Sequence, residues 1–223
     1  NISTTTAFVA AGAGLTVAKH GNRSVSSQSG SADVLRALGV NIDLPPKEVE
    51  RCINELGIGF LFAPLYHGAM KHAAGPRQEI GIRTLFNILG PLTNPAGASC
   101  QVLGVFREDL TEVMARVLIR LGAQHCLVVH GSDGLDEITI TGETRISEGK
   151  DGQVRTYAVR PGDFEIPTGT LQDLKGGGPK ENALITSRIL EGEKGPRRNV
   201  VLMNAAAAIV AGPQVRFTVL TSR

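Results

Sequence analysis

Along the chain, stretches of small and apolar residues alternate between helical and extended spacing. The run Ala7-Phe8-Val9-Ala10-Ala11-Gly12-Ala13-Gly14-Leu15-Thr16-Val17-Ala18 predicts a small-residue helix, with Asn1 to Thr6 supplying polar groups at its start. Ala32, Val34, Leu35 and Leu38 recur at helical spacing, Ser31 stands where an N-cap would, and Gly39 marks the stop. Pro46 to Leu56 predicts a helix with proline at its start and Gly57 at its end. Ile58 to Phe62 reads as a short buried strand, and Pro76 to Leu89 as another helical stretch.

Gln101 to Phe106, Glu108 to Leu121 and His125 to His130 form a strand, helix and strand with Gly122 before the second strand, which predicts a parallel pair. Asp136 to Arg145 and Gln153 to Val159 show β-branched alternation and predict two strands joined through Glu148 to Gly152. Lys180 to Leu190 and Arg198 to Val210 predict helices, the second apolar enough to be buried. Pro213 to Arg223 reads as a strand-like or disordered tail. The pattern therefore predicts an α/β domain over residues 1–212, with a mostly parallel central sheet and helices on both faces.

Composition narrows the class without naming it. A chain of 223 residues can bury one sizeable core. Its formal net charge of +2 gives no strong field for nucleic acid or a membrane surface. Cys52, Cys100 and Cys126 lie in apolar or helical surroundings and read as reduced thiols, while His67, His72, His125 and His130 lack zinc-ligand spacing. No apolar run has the length of a membrane span and no charged-then-apolar leader is seen, so cytoplasm is the expectation.

Four segments carry candidate chemistry. Lys19-His20-Gly21-Asn22-Arg23-Ser24-Val25-Ser26-Ser27-Gln28-Ser29-Gly30-Ser31 gathers cations, an imidazole, an amide and hydroxyls directly before a helix, a composition suited to an anion. An ordinary serine-rich turn before a capped helix is the simpler alternative. The start of the first helix offers hydroxyls and unpaired N–H groups as well, and Lys19 is expected just after that helix, where a cation suits its dipole. Together they suggest one polyanion held between two helix ends.

Asp133, Asp136 and Glu137 crowd the turn after the apolar strand Cys126 to His130, at the carboxyl end of a presumed parallel strand, where ligands bind in open α/β sheets. A shared Mg²⁺ would relieve their repulsion, and a solvated acidic turn is the alternative. Arg83, set among apolar residues, needs an anionic partner: either a ligand carboxylate held by two parallel hydrogen bonds or a structural ion pair.

The segments N-I-S-T, K-H-G-N-R-S-V-S-S-x-S-G-S-A-D-V-L-x-A-L-G, G-I-R-T-L-F-N-I-L-G-P-L-T-N-P and G-L-D-E occur in order between Asn1 and Glu137, and the likeness continues to about Gly212. They resemble the anthranilate phosphoribosyltransferases, which join anthranilate to phosphoribosyl pyrophosphate in tryptophan biosynthesis. The resemblance implies Asn1, Ser3, Thr4, Lys19, His20, Gly21, Asn22, Arg23, Ser24, Val25, Ser26, Ser27 and Ser31 around phosphoribosyl pyrophosphate. It implies Asn22 and Arg83 on anthranilate, and Ser3, Asp136 and Glu137 on Mg²⁺. Pro64, Tyr66, His67 and Arg77 would line the pocket entrance.

Lys19 and Asn22 are the candidate catalytic residues. His20 has the chemistry of a general base, but neutral anthranilate is already a nucleophile, so positioning and leaving-group electrostatics suffice. Members of the family carry an N-terminal helical domain that contributes to a homodimer, and a G-T-G-G-D-G turn just before N-I-S-T. The chain opens inside that motif, so the expectation is an α/β domain incomplete at its N-terminus, followed by an atypical tail over residues 213–223, with homodimer formation and full activity in question. A pyrimidine nucleoside phosphorylase and a non-catalytic phosphate-binding remnant are the alternative readings.

Overall fold

The computed structural model describes residues 1–23, 28–68, 75, 79 and 88–212, and the backbone of 217–221. In chain order the main elements are α1 (Ile2–Gly12), β1 (Val17–Gly21), α2 (Ser31–Ala37), α3 (Pro46–Leu56), β2 (Ile58–Phe62) and α4 (Ala63–Tyr66). They continue with β3 (Cys100–Gly104), α5 (Leu110–Arg120), β4 (His125–Gly131), β5 (Thr144–Lys150), β6 (Gln153–Val159), α6 (Pro179–Leu190), α7 (Pro196–Ala211) and β7 (Phe217–Thr221). The sheet runs β2-β1-β7-β3-β4-β5-β6. Its first five strands are parallel, and β5 and β6 follow as an antiparallel pair, with β6 at the edge.

Burial on both faces explains why the central strands read as unbroken apolar runs rather than alternating ones. On β3, Cys100 and Val102 enter one core and Leu103 the other; on β4, Leu127 and Val129 are split in the same way from Cys126 and Val128. The first core is closed by α1 and α7, whose Ala7, Ala10, Ala207, Ala208 and Ala211 are all buried. Such small side chains allow close helix packing. The second core lies under α5, through Met114, Ala115 and Leu118.

The strand-helix-strand unit forms the parallel β3/β4 pair, as its spacing predicts. Other boundaries differ for physical reasons. The first helix starts at Ile2, so Ser3, Thr4, Thr5 and Thr6 are buried inside it rather than ahead of it. Thr5 uses its hydroxyl within the fold, facing Asn1 O at 3.2 Å and Thr186 Oγ1 at 3.0 Å. Beyond Gly12 the chain turns through Gly14 at φ 94° and becomes β1, so Lys19 and His20 are strand residues and not the end of a helix.

The hairpin between β5 and β6 also departs from expectation. Glu148 to Lys150 continue the ladder, and only Asp151 and Gly152 turn, at φ 50° and 77°. Two successive positive φ values match the right-handed twist of paired strands, which Asp-Gly readily adopts. The first of these strands begins at Thr144 rather than Asp136, because side chains and helix α7 hold residues 133–141 in a separate knot described below. In the tail, the strand-like reading is the one observed: Phe217–Thr221 pairs with β3 along its length and meets β1 at Val17.

Candidate active site

β1 carries Lys19 and His20 into the sheet's interior, and the turn after β4 brings Asp136 and Glu137 toward the same place. Lys19 is 3% exposed and donates from Nζ to Ser3 Oγ at 3.2 Å, tying the strand to the first turn of α1. Burial lowers the Lys19 ammonium from its ordinary value, while the nearby charges of Glu137 and Asp136 oppose that shift. Glu137 moves the other way: desolvation raises its carboxyl and the Asp136 charge raises it further. Lys19 and the backbone N–H of Ser3 pull it back down. Three segments far apart in sequence thus form one electrostatic unit.

The donor set is all oxygen: Asp136, which is buried, with Glu137 and Ser3. Adjacent carboxylates held in a desolvated site favour a hard divalent cation, and Mg²⁺ suits so small a set because it keeps waters and shares substrate phosphates. Among the described residues there is no group of three or more His, Cys, Asp or Glu side chains fit to hold a metal.

His20 is buried and faces His67, with Nε2 to Nε2 at 3.2 Å and the rings at 69°. Burial, then His67, then Lys19 lower its pKa to about 4, so it stays neutral at ordinary pH. This pair joins a residue expected at phosphoribosyl pyrophosphate to one expected at the pocket entrance. Tyr66 packs against the cluster of Ala18, Val49, Ile53 and Leu61, while Pro64 is exposed in α4.

The segment after β1 is organised by its own backbone. Asn22 Oδ1 accepts Arg23 N–H at 2.7 Å, and Asn22 O accepts from Ala32 N and Ser31 Oγ. A Cβ at Gly21 would collide with Ser31 Oγ and lie 2.8 Å from Phe60, which accounts for glycine at that point. Arg23 sits 5.5 Å from the centre of the Phe62 ring. Helix α2 is capped from Gly30, one residue earlier than expected, with Asp33 Oδ2 accepting Gly30 N–H at 2.9 Å. Asn1 Nδ2 donates to Ser29 O at 3.4 Å, so the start of α1 and the start of α2 are neighbours. Ser24, Val25, Ser26, Ser27, Arg77 and Arg83 lie outside the described residues.

Two supports have little sequence signal. Asn204 of α7 clasps Ile138, accepting its N–H at 3.0 Å and donating to its O at 2.8 Å, immediately after Glu137. A polar residue within the otherwise apolar stretch over residues 200–211 is its one hint. A Cβ at Gly104, which ends β3, would coincide with the Asp136 carbonyl. Glycine there lets the acidic turn lie directly against the sheet.

This architecture, with a buried lysine and an acidic turn meeting at parallel strands, is that of an α/β domain with a polar ligand site. The model of the glycosyl transferase family, α/β domain, matches residues 1–217, and the chain belongs to that family. Among curated relatives, the anthranilate phosphoribosyltransferase of Moorella thermoacetica is 62% identical over 211 residues, covering 95% of this chain and 62% of the relative. That of Desulfosudis oleivorans is 63% identical over 212 residues, again covering 95% and 62%. The chain thus spans about three fifths of the length of these relatives.

Solved structures agree in fold. Anthranilate phosphoribosyltransferase from Thermus thermophilus superposes with a TM-score of 0.88 at 50% identity, covering 96% of this chain and 63% of that one. The Saccharomyces cerevisiae enzyme in complex with PRPP and Mg gives 0.83 at 32% identity, covering 92% and 58%.

Proposed function

We propose that this chain supplies the α/β part of an anthranilate phosphoribosyltransferase, a pentosyltransferase that moves the phosphoribosyl group of phosphoribosyl pyrophosphate to anthranilate. The observation that carries the reading is the convergence of Lys19 from the middle of β1, Ser3 from the first turn of α1, and Asp136 and Glu137 from the turn after β4. It is supported by relatives of that name at 62% and 63% identity and by a structural neighbour whose complex holds PRPP and Mg. The products are N-(5-phosphoribosyl)anthranilate and pyrophosphate, as tryptophan biosynthesis requires.

Asp136, Glu137 and Ser3 would hold Mg²⁺, which when bound offsets charge on the pyrophosphate. In the proposed reaction the amine nitrogen of anthranilate forms a bond to the anomeric carbon as the carbon–oxygen bond to pyrophosphate breaks, and the amine then gives a proton to solvent. Lys19, buried and cationic, stabilises the leaving charge from a fixed position without reorganising. The hydroxyl-rich segment from Asn22 through Ser24, Val25, Ser26 and Ser27 to Ser31, with Asn1, Thr4, His20, Gly21 and Arg23, surrounds the donor. Arg83 holds the acceptor's carboxylate and Asn22 lies beside its amine, with Pro64, Tyr66, His67 and Arg77 at the entrance. A neutral His20 needs no role as a base.

The protein is proposed to work in the cytoplasm and, with the length its relatives have, as a homodimer. Among the described residues no helix is long and apolar enough to cross a membrane, and Cys52, Cys100 and Cys126 are free thiols. The test is a product assay with phosphoribosyl pyrophosphate, anthranilate and Mg²⁺, run beside phosphate plus thymidine. Formation of phosphoribosylanthranilate supports the reading; thymine release with phosphate would transfer the chain to the nucleoside phosphorylases. Failure to bind phosphoribosyl pyrophosphate in calorimetry would defeat it.

A further inference from the structure

Of the acidic residues in the turn after β4, Asp133 has no part in the reaction just described, yet both oxygens of its carboxylate accept hydrogen bonds. Oδ1 accepts the N–H of Leu135 at 3.0 Å. Oδ2 accepts the hydroxyls of Thr139 and Thr141, each at 2.6 Å, the range of hydrogen bonds to an ionised acceptor. Thr141 N–H donates in turn to Thr139 Oγ1 at 3.0 Å. Room for this knot comes from Gly131, where a Cβ would lie 2.6 Å from Asp133 Oδ1.

The positions bonded to Asp133 straddle Asp136 and Glu137 in sequence. Its carboxylate therefore closes a ring around the acidic pair, and three donors satisfy it without any cation. On the far side of Glu137, Asn204 fixes Ile138 to helix α7. The pair is anchored before and after.

We propose that Asp133 is a positioning residue for Asp136 and Glu137, acting through the hydroxyls of Thr139 and Thr141 to hold the turn in the conformation that presents both carboxylates to Mg²⁺ and pyrophosphate. This inference rests on the functional reading given above. Asp133 is not a ligand. Without the knot, the turn would have to be ordered when the cation binds, and groups that orient metal ligands typically contribute 10–100-fold to metal affinity.

The test uses Mn²⁺ as a paramagnetic substitute for Mg²⁺, titrated into the 223-residue chain with phosphoribosyl pyrophosphate present, and free Mn²⁺ read by electron paramagnetic resonance. Asp133→Asn replaces an acceptor oxygen by a donor where two hydroxyls point, and is expected to weaken Mn²⁺ binding roughly 10–100-fold. Binding of phosphoribosyl pyrophosphate without metal should stay within about twofold, a separation that general loss of structure would not produce. Thr139→Val with Thr141→Val should reproduce the loss, whereas Thr139→Ser with Thr141→Ser, which keeps both hydroxyls, should bind as the parent does. If Asp133→Asn does not fold, the valine and serine pairs decide the matter by the same comparison.

The control is Asp136→Asn with Glu137→Gln. Loss of Mn²⁺ binding there, together with parental binding in both Asp133→Asn and the valine pair, would overturn the positioning role while leaving the functional reading in place. Parental binding in the control itself would overturn the assignment of the acidic pair, and the inference with it.

Discussion

Lys19 Nζ donates to Ser3 Oγ across 3.2 Å, joining the middle of strand β1 to the first turn of helix α1 in the protein interior. An ammonium this deeply buried is retained against its own desolvation only because Glu137 and Asp136 face it. Lys19→Met should therefore act on two levels. It removes the cation from the proposed leaving-group site and leaves the two carboxylates uncompensated. Hydrogen bonds to charged groups contribute about 1.5–3 kcal/mol, so affinity for phosphoribosyl pyrophosphate is expected to fall by about one to two orders of magnitude. Calorimetric titration in Mg²⁺ is the measurement, and an affinity within a factor of two of the parent would remove Lys19 from the site.

Gly104 tests the geometry rather than the charge. Because any Cβ there meets the Asp136 carbonyl, Gly104→Ala must push the acidic turn off the end of β3 or strain the strand. Overpacking of this kind costs about 1–3 kcal/mol. Urea unfolding should show that loss of stability, and Mg²⁺-dependent ligand binding should weaken as well. A variant with parental stability and parental Mg²⁺ dependence would mean that the turn does not need its place against the sheet.

Much of this arrangement is legible in the residues, and the gaps have a common cause. The parallel β3/β4 pair, the helix Pro46–Leu56 and the strand Ile58–Phe62 follow from local apolar spacing and from proline and glycine punctuation. Spacing misplaces Lys19, because alanines and glycines before it satisfy a helix as readily as the buried strand that forms, and pairing with its sheet neighbours, β2 above all, selects the strand. The start of β5 is misread for a similar reason. Ile138, Thr139 and Ile140 have strand character, but Asn204 and Asp133 claim their polar groups from outside the sheet. Spacing marks Asp136 and Glu137 as candidates; it does not show that Asp133, an identical residue in the same turn, is consumed by two threonines.

His20 contributes one part of the pH dependence, and Glu137, whose carboxyl the fold raises from 4.5 to about 8, contributes a part of opposite sign above pH 4.5. The His20 pKa is lowered from 6.5 to about 4 in the folded chain, chiefly by burial, so below pH 6.5 this group takes up more protons in the unfolded state than in the folded one. Stability from this group is complete above pH 6.5 and is lost as pH falls toward 4, amounting to about 3 kcal/mol over that window. Denaturant unfolding from about pH 7 to pH 4, compared between the parent and His20→Gln, isolates the contribution. Because the Glu137 contribution is common to both proteins, the parent's advantage over the variant should shrink between pH 6.5 and 4; identical slopes would show that protonation of His20 is not resisted by the fold.

Asn204 provides the most demanding test of how the site is built. It matches both polar groups of the Ile138 backbone and also donates to Val200 O at 2.8 Å, all in the buried core. Asn204→Leu keeps the approximate volume but strands an N–H and a carbonyl with no access to water. Each such group costs about 1–3 kcal/mol, so a loss of about 4 kcal/mol is expected, large beside the stability of an ordinary domain. Asn204→Asp retains the acceptor for Ile138 N–H while placing an acidic oxygen against the carbonyls of Ile138 and Val200, and should be at least as damaging at neutral pH. Lowering the pH protonates that oxygen and restores a donor, so the aspartate variant alone should gain stability on mild acidification relative to the parent. If instead both variants unfold at the parental denaturant concentration, helix α7 does not hold the turn that carries Glu137.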